Sequence, residues 1–165
     1  MIESPGLAPP GSPTYGASPA APKAQKPFVT FHAFYWALAT KKHNLNADPL
    51  KIVLADEVPS VEEAAVKGDV AEIAPSGGYM AGGVEVKGTF GMAAPGVFAL
   101  SLEELVVMAT GGPIGPFTCA VLVNGKSPRG DLVGYWHLGK AITLEDGESY
   151  TMKFPGPALV LGGLA

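Results

Sequence analysis

The sequence predicts a mainly β fold, a β-sandwich or jelly-roll-like barrel with one N-terminal helix packed on it and an extended arm in front. Three observations carry that reading. Short apolar runs, several of them alternating with polar residues, are separated by Gly- and Pro-rich turn signals through residues 50–161. Only residues 30–42 repeat with a helical period. Residues 1–27 hold seven prolines, three glycines and five alanines, a composition too poor in large apolar side chains to offset its ordering entropy.

The arm, residues 1–27, is expected to be extended, and as polyproline II it would reach on the order of 80 Å at about 3.1 Å per residue. Two roles fit it: a loose leader without a partner, or a segment that lies across a neighbouring subunit. The folded domain is then 28–165. Within 30–42, Phe31, Phe34, Tyr35 and Leu38 fall on one stripe, with Thr30 as N-cap and Lys41 and Lys42 suited to the negative end of the helix dipole. His32 lies off the stripe and reads as a surface side chain.

After a turn at 46–48, residues 50–54 (LKIVL) form a short strand. The following stretch is acidic, and Ser60 with Glu63 makes a capping box for a single helical turn. Residues 69–73 form a small strand or turn. The glycines of GGYMAGG, 77–83, permit tight reversals, and VEVKGTF from Val84 alternates as a strand. Residues 97–108 make one strand or two, with 101–104 as the interruption. In residues 116–123, Phe117, Cys119, Val121 and Val123 share a face, and in residues 132–138, Leu132, Trp136 and Leu138 do so. Residues 132–154 are expected to be a β-hairpin turning at Asp146-Gly147, with Tyr150, Met152 and Phe154 on its buried face. A last strand covers 158–161.

Composition narrows the function. A chain of 165 residues is expected to make one domain, burying roughly 70% of the surface its unfolded form exposes. Charged residues are only 16% and apolar ones 47%, so much of the surface is weakly polar or covered by a partner. A net charge of −4 gives no reason to hold a polyanion, so nucleic acid is not an expected partner. Glu3 stands where a secretory leader carries basic residues, and Gly-Pro breaks interrupt the uncharged stretch 105–125. A soluble chain with no membrane partner is expected.

No catalytic, cofactor-binding or metal-binding residue is assigned. Cys119 is the single cysteine and reads as a buried, inert thiol. His32, His43 and His137 have no metal-ligand spacing, and the pairs Glu62-Glu63 and Glu103-Glu104 point apart along their elements and read as solvated surface. Three motif look-alikes are set aside. GGYMAGG precedes a strand where a phosphate cradle needs a helix; AVLVNGKS, 120–127, has strand interior where a P-loop has its turn; Arg129-Gly130-Asp131 reads as turn chemistry. The expectation is a non-enzyme.

Several segments in series, GGPIGPFTCAVLVN (111–124) and LVGYWHLG (132–139) above all, resemble small structural proteins encoded by tailed bacteriophages. The resemblance spans about 28–161. The length of the Pro/Ala arm and the stretch 61–68 depart from it. It implies a capsid decoration, or cement, protein on the outer surface of the virion, bound to the major capsid protein and to copies of itself, with a trimer favoured. Symmetry would multiply modest apolar contacts, and the arm could add a strand to a neighbour's edge. Two rivals are a tail or baseplate component, distinguished by low copy number, and a carbohydrate-binding module stacking sugars on Tyr79, Tyr135 or Trp136.

Overall fold

A computed structural model describes residues 25–162. Its elements in chain order are β1 (Val29–Thr30), α1 (His32–Ala39), β2 (Leu50–Ala55), a 3₁₀ turn (Lys67–Asp69), β3 (Val84–Val86), β4 (Gly88–Ala94), β5 (Val97–Leu102), β6 (Leu105–Met108), β7 (Ile114–Asn124), β8 (Leu132–Leu144), β9 (Ser149–Met152) and β10 (Leu159–Gly162). The fold is mainly β and sandwich-like, with one short helix, as its composition and periodicity predict. A five-stranded antiparallel sheet ordered β1-β8-β7-β2-β3 forms one layer; a three-stranded sheet, β10-β5-β4, and a two-stranded one, β6-β9, form the other.

The main core lies between these layers. Ile52, Leu54, Leu122, Trp136 and Leu138 of the large sheet meet Leu100 of β5, Val107 of β6, Met152 of β9 and Phe34 of α1. A second core covers the back of the large sheet, where Val53, Cys119, Val121, Leu132 and Tyr135 meet Phe31 and the connection carrying Ala64 and Val70. The middle of the large sheet is therefore buried on both faces, which explains why residues 119–123 and 132–136 read as unbroken apolar runs. Residues 61–68 belong to this back layer: the Ala65 carbonyl accepts from Leu132 N–H at 3.0 Å, and Val66 bridges to Asp131. The Ser60 hydroxyl accepts from Glu63 N–H at 3.2 Å, starting the single turn the capping residues predict.

Four expectations are corrected. The helix is shorter than 30–42, because Thr30 pairs with Gly134 in β1, and the N-cap position falls to Phe31, which makes no side-chain cap. At the other end Lys41 takes a positive φ of 68° and the Lys42 N–H returns to the Ala37 carbonyl at 2.8 Å, so both lysines lie past the last turn. Ala37 occupies the inner stripe with Phe34, while Tyr35 is 55% exposed. The hairpin over 132–154 does not form. β8 pairs with β7, β9 pairs with β6, and the Asp146-Gly147 turn is a corner between sheets, held by Gly111 N–H on Asp146 Oδ1 at 2.8 Å.

The last two corrections come from bulges in the β7–β8 ladder. A register shift between Phe117 and Cys119 sends Phe117 into the main core and Cys119, Val121 and Val123 into the back one. A second shift leaves Val133 without an opposite residue, so Leu132 faces the back while Val133, Trp136 and Leu138 face the main core. Simple alternation is broken where an extra residue enters the strand.

Residues 1–24 of the expected arm lie outside the described residues. Its last residues, 25–27, run beside β8, with Lys26 N–H donating to the His137 carbonyl at 2.8 Å. Among the described residues no helix is long and apolar enough to cross a membrane.

Candidate interaction surface

The small sheet β10-β5-β4 projects past the core it helps to close. Register places Phe90, Leu100 and Leu159 in one row, and Met92, Phe98 and Leu161 in the next row on the same face. Leu100 and Leu159 are buried in the main core. Further along, Phe98 is 38% and Met92 67% exposed, so the face that packs inward at one end is bare at the other. Phe90 and Phe98 stack at 6.1 Å. Residues 88–102 contain no charged side chain, and nearly every residue of β4 is exposed. Among the described residues β4 and β10 each pair only with β5, which leaves two sheet edges unpaired, and neither strand contains the lysine or proline that usually blunts one. An uncharged apolar face with open edges is a protein-binding feature.

Beneath the overhang lies a cleft of about 410 Å³, walled by Leu38 and Leu45 on the helix side and Phe90 and Leu161 on the sheet side. The helix itself exposes Tyr35, and Trp36 to 69%. The sequence reading places Tyr35 on the packed stripe and assigns Trp36 no role; the one signal that both are exposed was the density of rings in FHAFYW, more than one stripe can bury. The three aromatics considered for sugar stacking are in the interior: Tyr79, Tyr135 and Trp136 are 3%, 7% and 4% exposed, so the carbohydrate reading loses its platform.

Three polar nodes hold the framework behind this surface. Glu72 accepts from the Tyr79 hydroxyl at 2.9 Å, Gly82 N–H at 2.7 Å and Lys67 Nζ at 2.9 Å. Burial works to raise its carboxyl, but those hydrogen bonds and the Lys67 charge outweigh it and hold the group below its ordinary range. The Tyr79 hydroxyl also accepts from Leu54 N–H at 3.0 Å, and burial, with the adjacent Glu72, pushes the phenol above its ordinary value. So GGYMAGG is a clasp on the edge of β2 rather than a phosphate cradle. Its Gly77 lies against the Gly112 and Pro113 carbonyls, where any Cβ would collide.

Asn124 is the second node. Its Oδ1 accepts from Lys126 N–H at 2.8 Å, which turns Nδ2 toward Asp48 Oδ2 at 2.8 Å and His43 Nδ1 at 3.2 Å. His43 therefore accepts at Nδ1 and carries its proton on Nε2, which is buried without a partner. Burial lowers the His43 pKa, against the nearby charges of Asp131 and Asp48, which raise it, while Lys42 lowers it further. Asp48 stays ionised because hydrogen bonds from Asn44 N–H and the Asn124 amide overcome the effect of burial.

The third node is Asp131, whose carboxylate accepts from the Ser127 hydroxyl; Arg129-Gly130-Asp131 is consumed in this turn. Residues 120–124 of the P-loop look-alike are the interior of β7. Cys119 is fully buried, and burial pushes its thiol up. His32 is exposed, as expected. Glu103 and Glu104 fall at the break between β5 and β6, both exposed. Among the described residues no three His, Cys, Asp or Glu side chains gather where they could hold a metal ion. No family model, no curated protein and no solved structure matches this chain.

Proposed function

We propose that the chain is a structural virion protein, a decoration or cement protein that binds the outer surface of a major capsid protein shell and stabilises it. The observation that carries the reading is the uncharged overhang of β10-β5-β4, with Met92 and Phe98 bare on a face whose other end is core. A single such patch offers modest affinity. Repeated at every equivalent position of a symmetric shell, it covers apolar surface on both partners and braces neighbouring subunits together. The phage resemblance of residues 111–124 and 132–139 supplies the partner, and the low charge fits a surface made to be covered.

The test is cosedimentation of the purified chain with capsids that lack it. Met92→Lys together with Phe98→Lys should abolish binding while leaving the circular dichroism spectrum unchanged. Binding equal to the parent chain would overturn this face as the contact. Hundreds of copies per particle are expected; a handful would instead mark a tail or baseplate part.

A further inference from the structure

We propose that the groove above Trp136 is a docking site for the proline-rich residues 1–24 of the same chain. This inference does not rest on the capsid reading. The groove holds about 520 Å³, with the half-buried Phe28 on one wall, Phe154, Pro155, Pro157 and Ala158 on the other, and Trp136, only 4% exposed, closing its floor beneath them. The Trp136 ring stands 4.6 Å from that of Phe28 and 4.7 Å from that of Phe154, a row of three tilted rings. Lys26 and Lys153 also line it, and Glu3 is the one acidic residue in 1–24.

Residues 1–24 contain six prolines, with at most five consecutive residues free of proline, at 14–18. Each proline lacks the N–H that a sheet ladder needs, so this segment is a poor extra strand for the open edges of β4 or β10. Proline-rich chains instead present a preformed polyproline II face, which docks between aromatic and prolyl side chains. The groove has that lining. It also has the segment at hand, because Gln25 and Lys26, where residues 1–24 join the described chain, form part of its rim. Residues 14–24, with Gly16 among them, are a connection long enough for 5–13 (PGLAPPGSP) to turn back onto the groove. Such a tether keeps the segment at millimolar effective concentration, so weak contacts suffice.

The test uses the full chain with Ser12→Cys carrying a nitroxide; Cys119 is 0% exposed, which confines the label to position 12. In the ¹⁵N spectrum the Trp136 indole and the amides of Phe154 and Ala158 should lose at least half their intensity against the reduced, diamagnetic sample. Adding Pro9→Ser and Pro10→Ser, outside the folded domain, should restore that intensity. Unchanged groove signals in the labelled chain would overturn docking, and broadening that survives the two proline substitutions would overturn the polyproline mode. Mixing ¹⁵N chain without label and labelled chain without ¹⁵N should give no broadening; broadening found only in this mixture would assign the groove to a second copy and overturn the same-chain proposal.

Discussion

β7 and β8 on one side, and β4 and β5 on the other, are both antiparallel pairs of apolar sequence, yet they live in opposite environments. Residues 119–124 of β7 and 132–136 of β8 are sealed on both faces, by the main core and by the 60–70 connection behind. β4 is exposed along nearly its whole length, and β5 only half buried. Hydrophobicity in the first pair is used up in folding. In the second it is left over, since removing it would cost the domain little, and an exposed apolar sheet without charges is a hazard unless a partner covers it. The difference teaches where stability ends and binding begins.

Breaking the comparison at its stable end should give the largest effect. Leu122 is fully buried between the layers, so Leu122→Ala should destabilise by about 3 to 4 kcal/mol, measured by urea denaturation. Met92→Ala should change stability by less than about 0.5 kcal/mol. Equal losses at the two positions would erase the contrast.

Next in size is the junction of β1 with β8. A methyl at Gly134 would collide with the Phe28 ring and the Val29 carbonyl, so Gly134→Ala should cost about 2 kcal/mol and free the N-terminal strand to proteolysis. Tyr79→Phe is comparable or smaller. It leaves the Leu54 N–H without an acceptor and removes one of the three donors to Glu72, for a loss of about 1 to 2 kcal/mol in the same denaturation experiment.

The last effect is a dependence of stability on pH, set by His43. Its folded-state pKa lies below the ordinary 6.5, so the folded chain takes up the proton less readily than the unfolded one. Stability is therefore complete above 6.5 and falls as the pH drops from there toward the depressed folded value. Denaturation midpoints between pH 7 and 5 should decline, and His43→Gln should flatten that decline; a midpoint that rises on acidification would contradict a folded state that holds His43 neutral.

Much of this was legible in the residues. Periodicity located the single helix, and turn chemistry located most strand ends, because both are local. Burial of Cys119 and Trp136 followed from their apolar neighbours. The misreadings share a cause: they depend on who pairs with whom. Asp146-Gly147 has the composition of a hairpin turn, but the long β8 is satisfied by β7, and β9 finds its partner in β6, far back in sequence. The register break beside Phe117, where β8 advances five residues against two on β7, and the single extra residue at Val133 reverse the faces that alternation assigns. Tyr35 and Trp36 could not be told from core, since a ring on a short helix is buried only if a neighbour arrives to cover it. Likewise nothing local in GTFGMAA says that its sheet outruns the core; register against β5 reveals it.

An electron cryomicroscopy map of the virion, fine enough to seat the domain, tests the central claim most directly. The account predicts hundreds of copies on the outer shell, each with the Met92 and Phe98 end of the small sheet against capsid protein. The same domain found in a few copies on the tail, or on the shell with that end turned to solvent, would contradict it.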